Sequence, residues 1–352
     1  MTQQIILLAN VGSPRTVNEE DVRSYLQEFL TDGDIISVPY LMRQLLVRGI
    51  IVPRRTHYSA ERYRQLLALS EGVIPLTAEM QRLAELVAQL TQLPTLYTPR
   101  YAQTSRAQWG ERIAQLVGTD DVEVLLLPLF PQYTRSNAGS AITYFSDLPK
   151  PTGGEYKTTV LTPWGTDSRY IQQLTDLIQK HVDTGDDSYH YIASYHSIPE
   201  AHQKYDQTHG WDYHTQCVAT LQAVTHRLGV PEERVHLAFH SAMGHGRWLE
   251  PTLVSVLQKL AAQGVRRAVI FSPSFVADCL ETKLDLDLEA RELFLAAGGE
   301  ELIYVPCLST HPDSGAFIAS LVERVQRLRE PPPFRKLRRV QTILLSSLHP
   351  FA

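Results

Sequence analysis

The chain has 352 residues, of which 43% are hydrophobic and 20% are charged, and its formal net charge is −5. This composition is that of an ordinary globular protein, and the length favours two domains of roughly 150 residues each. Nucleic-acid-binding proteins usually have a basic face, and the negative net charge of this chain does not indicate one, so we expect no nucleic-acid partner. The three cysteines include no Cys-x-x-Cys pair. They argue against a disulfide framework or a zinc ribbon and are typical of a reducing cytoplasm.

The N-terminal residues MTQQIILLAN lack the basic segment, the apolar stretch of about 7–15 residues and the cleavage site of a signal peptide. The sequence also contains no run of ~18 apolar residues that could span a bilayer. We therefore expect a cytoplasmic protein that is soluble or peripheral to a membrane.

Short apolar runs alternate along the chain with longer amphipathic segments. Seven runs rich in Val, Ile, Leu or Tyr are typical of strands buried on both faces. They are Ile5–Ala9, Val122–Pro128, Tyr156–Thr162, Tyr189–Ser194, Val235–Phe239, Ala268–Ser272 and Leu302–Val305. The helical pattern is clearest in Leu76–Leu90, Tyr170–His181, Trp248–Gln263 and Ser314–Leu328. This alternation predicts an α/β fold with parallel sheets.

Polar, aromatic and titratable residues follow five of the predicted strands, at the sheet edge where α/β proteins bind ligands. The five exits begin at Asn10, Phe130, Tyr195, His240 and Ser272. One histidine after a strand is more often a local hydrogen-bonding group, but five such exits together favour a pocket. The exits carry no G-x-G-x-x-G, G-x-x-x-x-G-K-[ST], H-E-x-x-H or G-x-S-x-G motif. This absence argues against dehydrogenases, phosphotransferases, zinc proteases and esterases.

The segment Asp278–Glu289, DCLETKLDLDLE, is rich in acids. Glu281, Asp285 and Glu289 have the spacing i, i+4, i+8, which forms a row along a helix. A wider π-type helix, with about 4.4 residues per turn, straightens the row, and such segments favour functional sites. One interpretation is a solvated helix face near the positive N-terminus. The other is a set of oxygen ligands for a divalent cation, since stacked carboxylates repel one another without one. Spacing alone favours the solvated face.

Six elements, in order and with plausible spacing, resemble the ferrochelatase family along residues 4–325. They are LLANVGSP, Pro99-Arg100-Tyr101, LPLFPQYTRSNAGS, SYHSIP, GRWLEPT and SPSFVADCLETKLDLDLE. The resemblance implies a lyase of haem biosynthesis that inserts Fe²⁺ into protoporphyrin IX, forming protohaem and releasing two protons. It also implies two Rossmann-like domains, each a parallel β-sheet flanked by helices. In its light the acidic row becomes a predicted metal track.

The resemblance also assigns roles to individual residues. It implies His196 and Glu281 as the catalytic pair, on opposite faces of the porphyrin. The implied metal-binding residues are His196, Glu281, Asp285 and Glu289. The implied substrate-binding residues are Asn10, Arg100, Tyr101, Tyr133, Ser140 and Trp248. A neutral imidazole is a suitable proton acceptor near pH 7, but which of His196 and Glu281 takes the pyrrole protons and which delivers the metal stays open.

The implied first domain comprises residues 1–160 and 310–352 and includes the lip of the porphyrin mouth. The second comprises residues 161–309 and includes the catalytic histidine and the acidic helix. Fe²⁺ is a substrate, and we expect no tightly bound cofactor. Because an iron–sulfur cluster normally needs four ligands and the chain has three cysteines, we expect no such cluster.

Residues 35–55 combine apolar runs with Arg43, Arg48, Arg54 and Arg55. They are either a helix packed in the core or the apolar lip of the family's pocket, in contact with the inner-membrane surface. The basic tail 335–339 would add an electrostatic contact with that surface.

The chain departs from the family pattern at several turns. His240-Ser241-Ala242 stands where the family has Gln-Ser-Arg or Gln-Ser-Lys, and Gly72-Val73-Ile74-Pro75 where it has Gly-Ser-Pro. Cys279 occupies the position of a second histidine in animal enzymes. The alternatives are a coproporphyrin ferrochelatase and a cobalt chelatase acting on a corrin-type ring. A two-lobed transport protein for haem or metal would carry an export signal, and a non-catalytic porphyrin carrier would lack His196 or Glu281.

Overall fold

The computed structural model of the protein describes residues 2–242, 246–327 and 340–343. Within these residues nine strands form two parallel sheets. The strands are β1 (Gln3–Asn10), β2 (Thr95–Pro99), β3 (Val122–Pro128), β4 (Lys157–Leu161), β5 (Tyr189–His196), β6 (Val235–His240), β7 (Arg267–Phe271), β8 (Glu301–Val305) and β9 (Val340–Ile343). The predicted basic tail 335–339 lies outside the described residues.

The first sheet has the strand order β2-β1-β3-β4-β9. Residues Ile5–Ala9 of β1 are fully buried, as expected for a parallel strand covered on both faces. The helices that belong with this sheet are α1 (Glu19–Leu30), α2 (Tyr40–Leu46), α3 (Val52–Leu69), α4 (Pro75–Thr91), α5 (Arg106–Val117) and α6 (Ser140–Phe145). Two π-helical segments, Val47–Ile51 and Arg135–Gly139, precede α3 and α6.

The second sheet has the strand order β6-β5-β7-β8. Its helices are α7 (Ser168–His181), α8 (Glu200–Thr208), α9 (Tyr213–Leu228), α10 (Leu253–Ala262) and α11 (Ala290–Ala296). The last helix of the described residues is α12 (Ser314–Arg327). A third π-helical segment, Glu281–Glu289, leads directly into α11. Ile192 and Ile270 of the sheet pack with Leu257 of α10 and Phe294 of α11, all essentially inaccessible to solvent.

The described residues divide into two compact units. The first contains the chain up to Leu129, Arg135–Thr162 and the described residues from Ile318 onward. The second contains Phe130–Thr134 and Pro163–Phe317. The predicted class, two parallel sheets flanked by helices, is confirmed. The domain boundaries given above stay a prediction.

All seven predicted strands are present, with ends shifted by at most two residues. The helix predicted over Trp248–Gln263 begins only at Leu253, and that part of the prediction is wrong. Thr252 is the N-cap of the helix, and its side chain accepts a hydrogen bond from the Ser255 amide. Trp248 instead forms an extended bridge with Pro199.

Candidate active site

His196 is the last residue of β5, at the carboxyl edge of the second sheet. Its backbone carbonyl accepts a hydrogen bond from the Tyr213 hydroxyl (3.0 Å). The next amide, that of Ser197, donates to the carbonyl of His240 (2.8 Å), and the Ser197 hydroxyl donates to the Leu249 carbonyl (3.2 Å). These bonds fix the backbone that carries the imidazole.

The ring of His196 is half-buried, and its Nδ1 lies 2.7 Å from the backbone carbonyl of Ser197. A carbonyl oxygen can only accept a hydrogen bond, so Nδ1 carries the proton. In the neutral ring the lone pair is therefore on Nε2, which can accept a proton or bind a metal ion.

A second imidazole, that of His240, lies beside the first. His240 ends β6, next to β5, and its ring centroid is 5.7 Å from that of His196 at an interplanar angle of 66°. The residue is 4% exposed. Its burial, assisted by the neighbouring His196, holds its pKa well below the usual value, so the ring is neutral at pH 7.

The residue after His240 connects this edge of the sheet to the acidic row. Ser241 has a φ of 59°, a left-handed conformation that is uncommon for a residue other than glycine. Its hydroxyl donates a hydrogen bond to the carboxylate of Asp285. The turn thus brings the exit of β6 into contact with the helix that carries the acids.

That helix is a π-helix over Glu281–Glu289, the wider geometry that straightens the row. The amide of Ala290 bonds to the carbonyl of Asp285, five residues earlier. Glu281 and Asp285 are half-buried and Glu289 is exposed, so the row runs from the interior towards solvent.

The acids outside the row have structural partners. Asp287 binds Lys283 and Arg291 on either side of it in the helix. Asp278 accepts hydrogen bonds from the Tyr304 hydroxyl (2.6 Å) and the Cys307 amide (3.3 Å). Lys283, the cation that the sequence places nearest the row, therefore pairs with an acid outside it.

The thiol of Cys279 lies 3.1 Å from the carboxylate of Glu281. Glu281 is the first carboxylate of the row, and Cys279 lies two residues before it in the chain. Among residues 2–242, 246–327 and 340–343, no group of three or more His, Cys, Asp or Glu side chains is close enough to hold one metal ion together. The row is a series of separate positions.

Two of the predicted substrate-binding residues, Trp248 and Tyr133, belong to the second unit. The Trp248 bridge with Pro199 places the half-buried tryptophan beside the loop that follows β5. Tyr133 stacks on Trp211 at 4.4 Å between ring centroids.

The other predicted substrate-binding residues belong to the first unit, and three of them form one hydrogen-bonded cluster. Arg100 follows β2 and binds the Asp32 carboxylate at 2.7 Å. Tyr101 (2.9 Å) and Ser140 (2.6 Å) also donate to Asp32. The Arg100 guanidinium further contacts the Ser140 hydroxyl and lies over the ring of Tyr144, 4.2 Å from its centroid.

Burial of the Asp32 carboxyl acts to raise its pKa. The Arg100 charge and the hydrogen bond from Ser140 outweigh burial and hold that pKa below its usual value. The acid is therefore ionised at neutral pH. Asn10, the remaining predicted residue, is buried at the end of β1, where its side-chain oxygen accepts from the Val11 amide (2.6 Å).

Segment 40–58 of the first unit packs Val47 and Val52 in the core but exposes other apolar side chains. Tyr40, Leu41, Met42 and Leu45 are between 61% and 75% exposed. The alternative of a helix packed in the core is wrong for these residues. Arg43 is not a free surface charge, because its guanidinium donates to the carbonyls of Thr31, Ile36 and Val38.

The family model for ferrochelatase matches residues 3–326 of the chain. The chain belongs to the ferrochelatase family. A ferrochelatase from Pseudomonas putida is 33% identical over 350 residues, covering 92% of this chain and 100% of the relative. A ferrochelatase from Stutzerimonas stutzeri is 33% identical over 347 residues, covering 93% and 98%. These matches confirm the predicted family, the lyase class and ferrochelatase function in haem biosynthesis.

Among solved structures, SirB from Bacillus subtilis with Fe³⁺ has a TM-score of 0.50 and 10% sequence identity, covering 92% of this chain and 95% of that one. At this identity the likeness concerns the fold. No helix among the described residues is both long enough and apolar enough to cross a membrane.

Sequence reasoning missed three residues of this ferrochelatase that the geometry singles out. Asp32 follows a helix, and nothing in its surroundings in the sequence indicated a partner. For His240 and Ser241, the sequence shows a strand exit and a departure from the family pattern, but it does not predict their contacts with His196 and Asp285.

Proposed function

We propose that this ferrochelatase inserts Fe²⁺ into protoporphyrin IX. The observation that carries the proposal is the pairing of an imidazole with a free lone pair and a row of carboxylates at one sheet edge. His196 presents Nε2 there, and Ser241 connects the same edge to Asp285.

The overall reaction exchanges two pyrrole protons for one Fe²⁺ ion, so the site must accept protons and deliver a cation. His196 Nε2 is suited to accept a proton from a pyrrole N–H near neutral pH. Glu281, half-buried at the inner end of the row, is suited to assist that transfer or to hold the ion until the pyrrole nitrogens take it. Asp285 and Glu289 continue the row towards solvent and attract the incoming cation.

In the first unit, we infer that Arg100, Tyr101 and Ser140 contribute to the porphyrin-binding surface, together with Asn10. Asp32 binds the first three at once and therefore fixes their orientations. For the second unit, we infer that Tyr133 and Trp248 contribute aromatic surface for binding the porphyrin.

The exposed segment 40–58 supports protoporphyrin as the substrate and peripheral contact of a cytoplasmic enzyme with the inner-membrane surface. The segment exposes the apolar side chains of residues 40–42 and 45, and it also contains the exposed Arg48 and Arg54. Such a surface suits an apolar macrocycle edge and an anionic lipid headgroup layer. Coproporphyrin, with four carboxylates, matches it less well.

An anaerobic assay with Fe²⁺ tests the proposal. We expect the visible spectrum of protoporphyrin IX to convert to that of protohaem, with a higher kcat/KM than for coproporphyrin. The variant Glu281→Gln provides the matched control, since it preserves side-chain size and removes the charge. A higher kcat/KM with coproporphyrin would overturn the substrate assignment, and no insertion with either porphyrin would overturn the proposed function.

A further inference from the structure

One nitrogen beside the proposed active site has no assigned role. His240 is 4% exposed, and its Nε2 meets no hydrogen-bond partner within the described part of the chain. Its Nδ1 lies 2.8 Å from the Ser194 hydroxyl, on the other side of the ring. A buried polar atom left without a partner costs about 1–3 kcal/mol. A ligand that binds Nε2 would offset that cost.

The imidazole of His196 lies beside that of His240. The two residues lie opposite each other in the pairing of β5 with β6, and their rings are 5.7 Å apart. Two imidazoles that bind one ion, with metal–nitrogen distances of about 2.0–2.1 Å, have centroids roughly 5–5.5 Å apart. The observed centroid separation is close to this range.

We propose that His196 and His240 form a two-nitrogen binding position for a divalent cation, distinct from the carboxylate row. This inference rests on the proposed function, because the cation is the metal that the enzyme inserts. If Nδ1 of His240 donates to Ser194, Nε2 carries the lone pair that such a site needs, as Nε2 of His196 already does. Two protein nitrogens leave further coordination positions for water or for pyrrole nitrogens, so the ion can be passed on.

The chemistry of this position differs from that of the acidic row. Carboxylates suit Mg²⁺ and Ca²⁺ as well as transition metals, whereas imidazole favours Fe, Zn and related ions. Two imidazoles would therefore select a transition metal over the abundant hard cations. Glutamine, the residue that the family pattern has at this position, lacks the second imidazole.

The test measures metal binding without porphyrin, with Zn²⁺ as the probe. Isothermal titration calorimetry compares the wild-type chain with His240→Gln, which can still hydrogen-bond to Ser194. We expect the Zn²⁺ dissociation constant to rise about tenfold or more, as losses in the ligand environment of metal sites do. His226→Gln is the matched control, because His226 is an exposed histidine near the end of α9. Millimolar Mg²⁺ should not displace the Zn²⁺.

Selective ¹⁵N-histidine NMR of the wild-type chain provides a second measurement that does not depend on any variant folding correctly. The Nε2 resonances of His196 and His240 should shift together on addition of one equivalent of Zn²⁺. A shift of His196 alone, or an affinity unchanged within twofold in His240→Gln, would overturn the proposal. Coupled shifts in a chain that inserts no iron would support the nitrogen pair and refute the proposed function.

Discussion

The acids of the π-helix have two kinds of environment although they are close in sequence. Asp287 is held by Lys283 and Arg291. Asp285 accepts a hydrogen bond from Ser241. Glu281 lies beside Cys279 and forms no ion pair with a cationic side chain among the described residues. A change in Asp287 should therefore affect stability, whereas changes in Glu281 and Asp285 should affect the reaction.

We expect variants of the proposed site to separate proton transfer from metal handling. His196→Ala should abolish or nearly abolish insertion, because it removes the Nε2 lone pair. Glu281→Gln should lower turnover strongly while porphyrin stays bound. Asp285→Asn and Glu289→Gln should raise the KM for iron more than they lower kcat. Steady-state kinetics under anaerobic conditions, with iron and porphyrin varied separately, measure these effects.

Asp287→Asn is the matched control for this series. It removes an acid from the same helix, and we expect an unchanged KM for iron. If Asp285→Asn and Glu289→Gln lost turnover as severely as His196→Ala at saturating iron, the assignment of the row to metal handling would be wrong.

Asp32 is the residue on which the polar cluster of the first unit depends. The side chains of Asp32 and Arg100 are only 10% and 14% exposed, and removing one partner of a buried ion pair costs about 3–5 kcal/mol. We therefore expect Asp32→Asn to lower the free energy of unfolding by about that amount at pH 7, measured by urea denaturation. Glu61→Gln, in the exposed pair with Arg64, should change it by less than about 1 kcal/mol.

The pH dependence of this effect has a definite sign. The pKa of Asp32 is lower in the folded chain than in the unfolded chain. Its contribution is therefore complete above the unfolded-state pKa, about 3.9, and is lost as the pH falls through the folded-state pKa. The difference between wild type and Asp32→Asn should shrink in acid. A difference that stayed constant down to pH 3 would contradict the ion-pair explanation.

At the scale of elements, the sequence predicts seven of the nine described strands and does not predict β2 or β9. β1 and β3 contain long buried apolar runs, whereas β2, TLYTP, is short, half-buried and ends in proline. The start of α10 was misplaced because Trp248 continues an apolar periodicity that local strand pairing overrides. The spacing i, i+4 and i+8 of the carboxylates is compatible with both an α-helix and a π-helix, so the π-helix is a finding of the structure.

The exposed element 40–58 gives a prediction about membrane binding. Leu41 and Leu45 are 74% and 75% exposed, so their replacement by Ser should change the free energy of unfolding by less than about 0.5 kcal/mol. Binding to vesicles that contain anionic phospholipid should nevertheless weaken in a sedimentation assay. Leu46, the third leucine of the predicted lip, is only half-exposed and is unsuitable for this comparison.

Leu90→Ser and Leu116→Ser are the controls, since these leucines are 53% and 52% exposed on other helices. They should leave vesicle binding unchanged. A loss of about 2–5 kcal/mol in the Leu41 or Leu45 variant would indicate core packing. Equal vesicle binding in all four variants would exclude a role of this segment in membrane contact.

At the scale of the whole molecule, the predictable part of the site follows from the rule for parallel sheets. Arg100 comes after β2, and His196 and His240 end β5 and β6, so each lies at a carboxyl edge. Asp32 follows a helix, and its contacts with Arg100 and Ser140 join positions 68 and 108 residues away. The local residue pattern of a single sequence does not show which distant residues will pair, because only folding brings them together.

The three cysteines provide a test that involves the whole chain. Cys217, Cys279 and Cys307 are all buried, and burial raises the pKa of each thiol. Because a thiolate is the reactive form and an iron–sulfur cluster normally needs four ligands, the native protein should react slowly with a thiol reagent and carry no cluster. We expect three thiols to react only after denaturation in guanidinium, and no acid-labile sulfide after anaerobic purification. Rapid native reaction would contradict the burial of the thiols, and roughly stoichiometric sulfide would show that a cluster is bound.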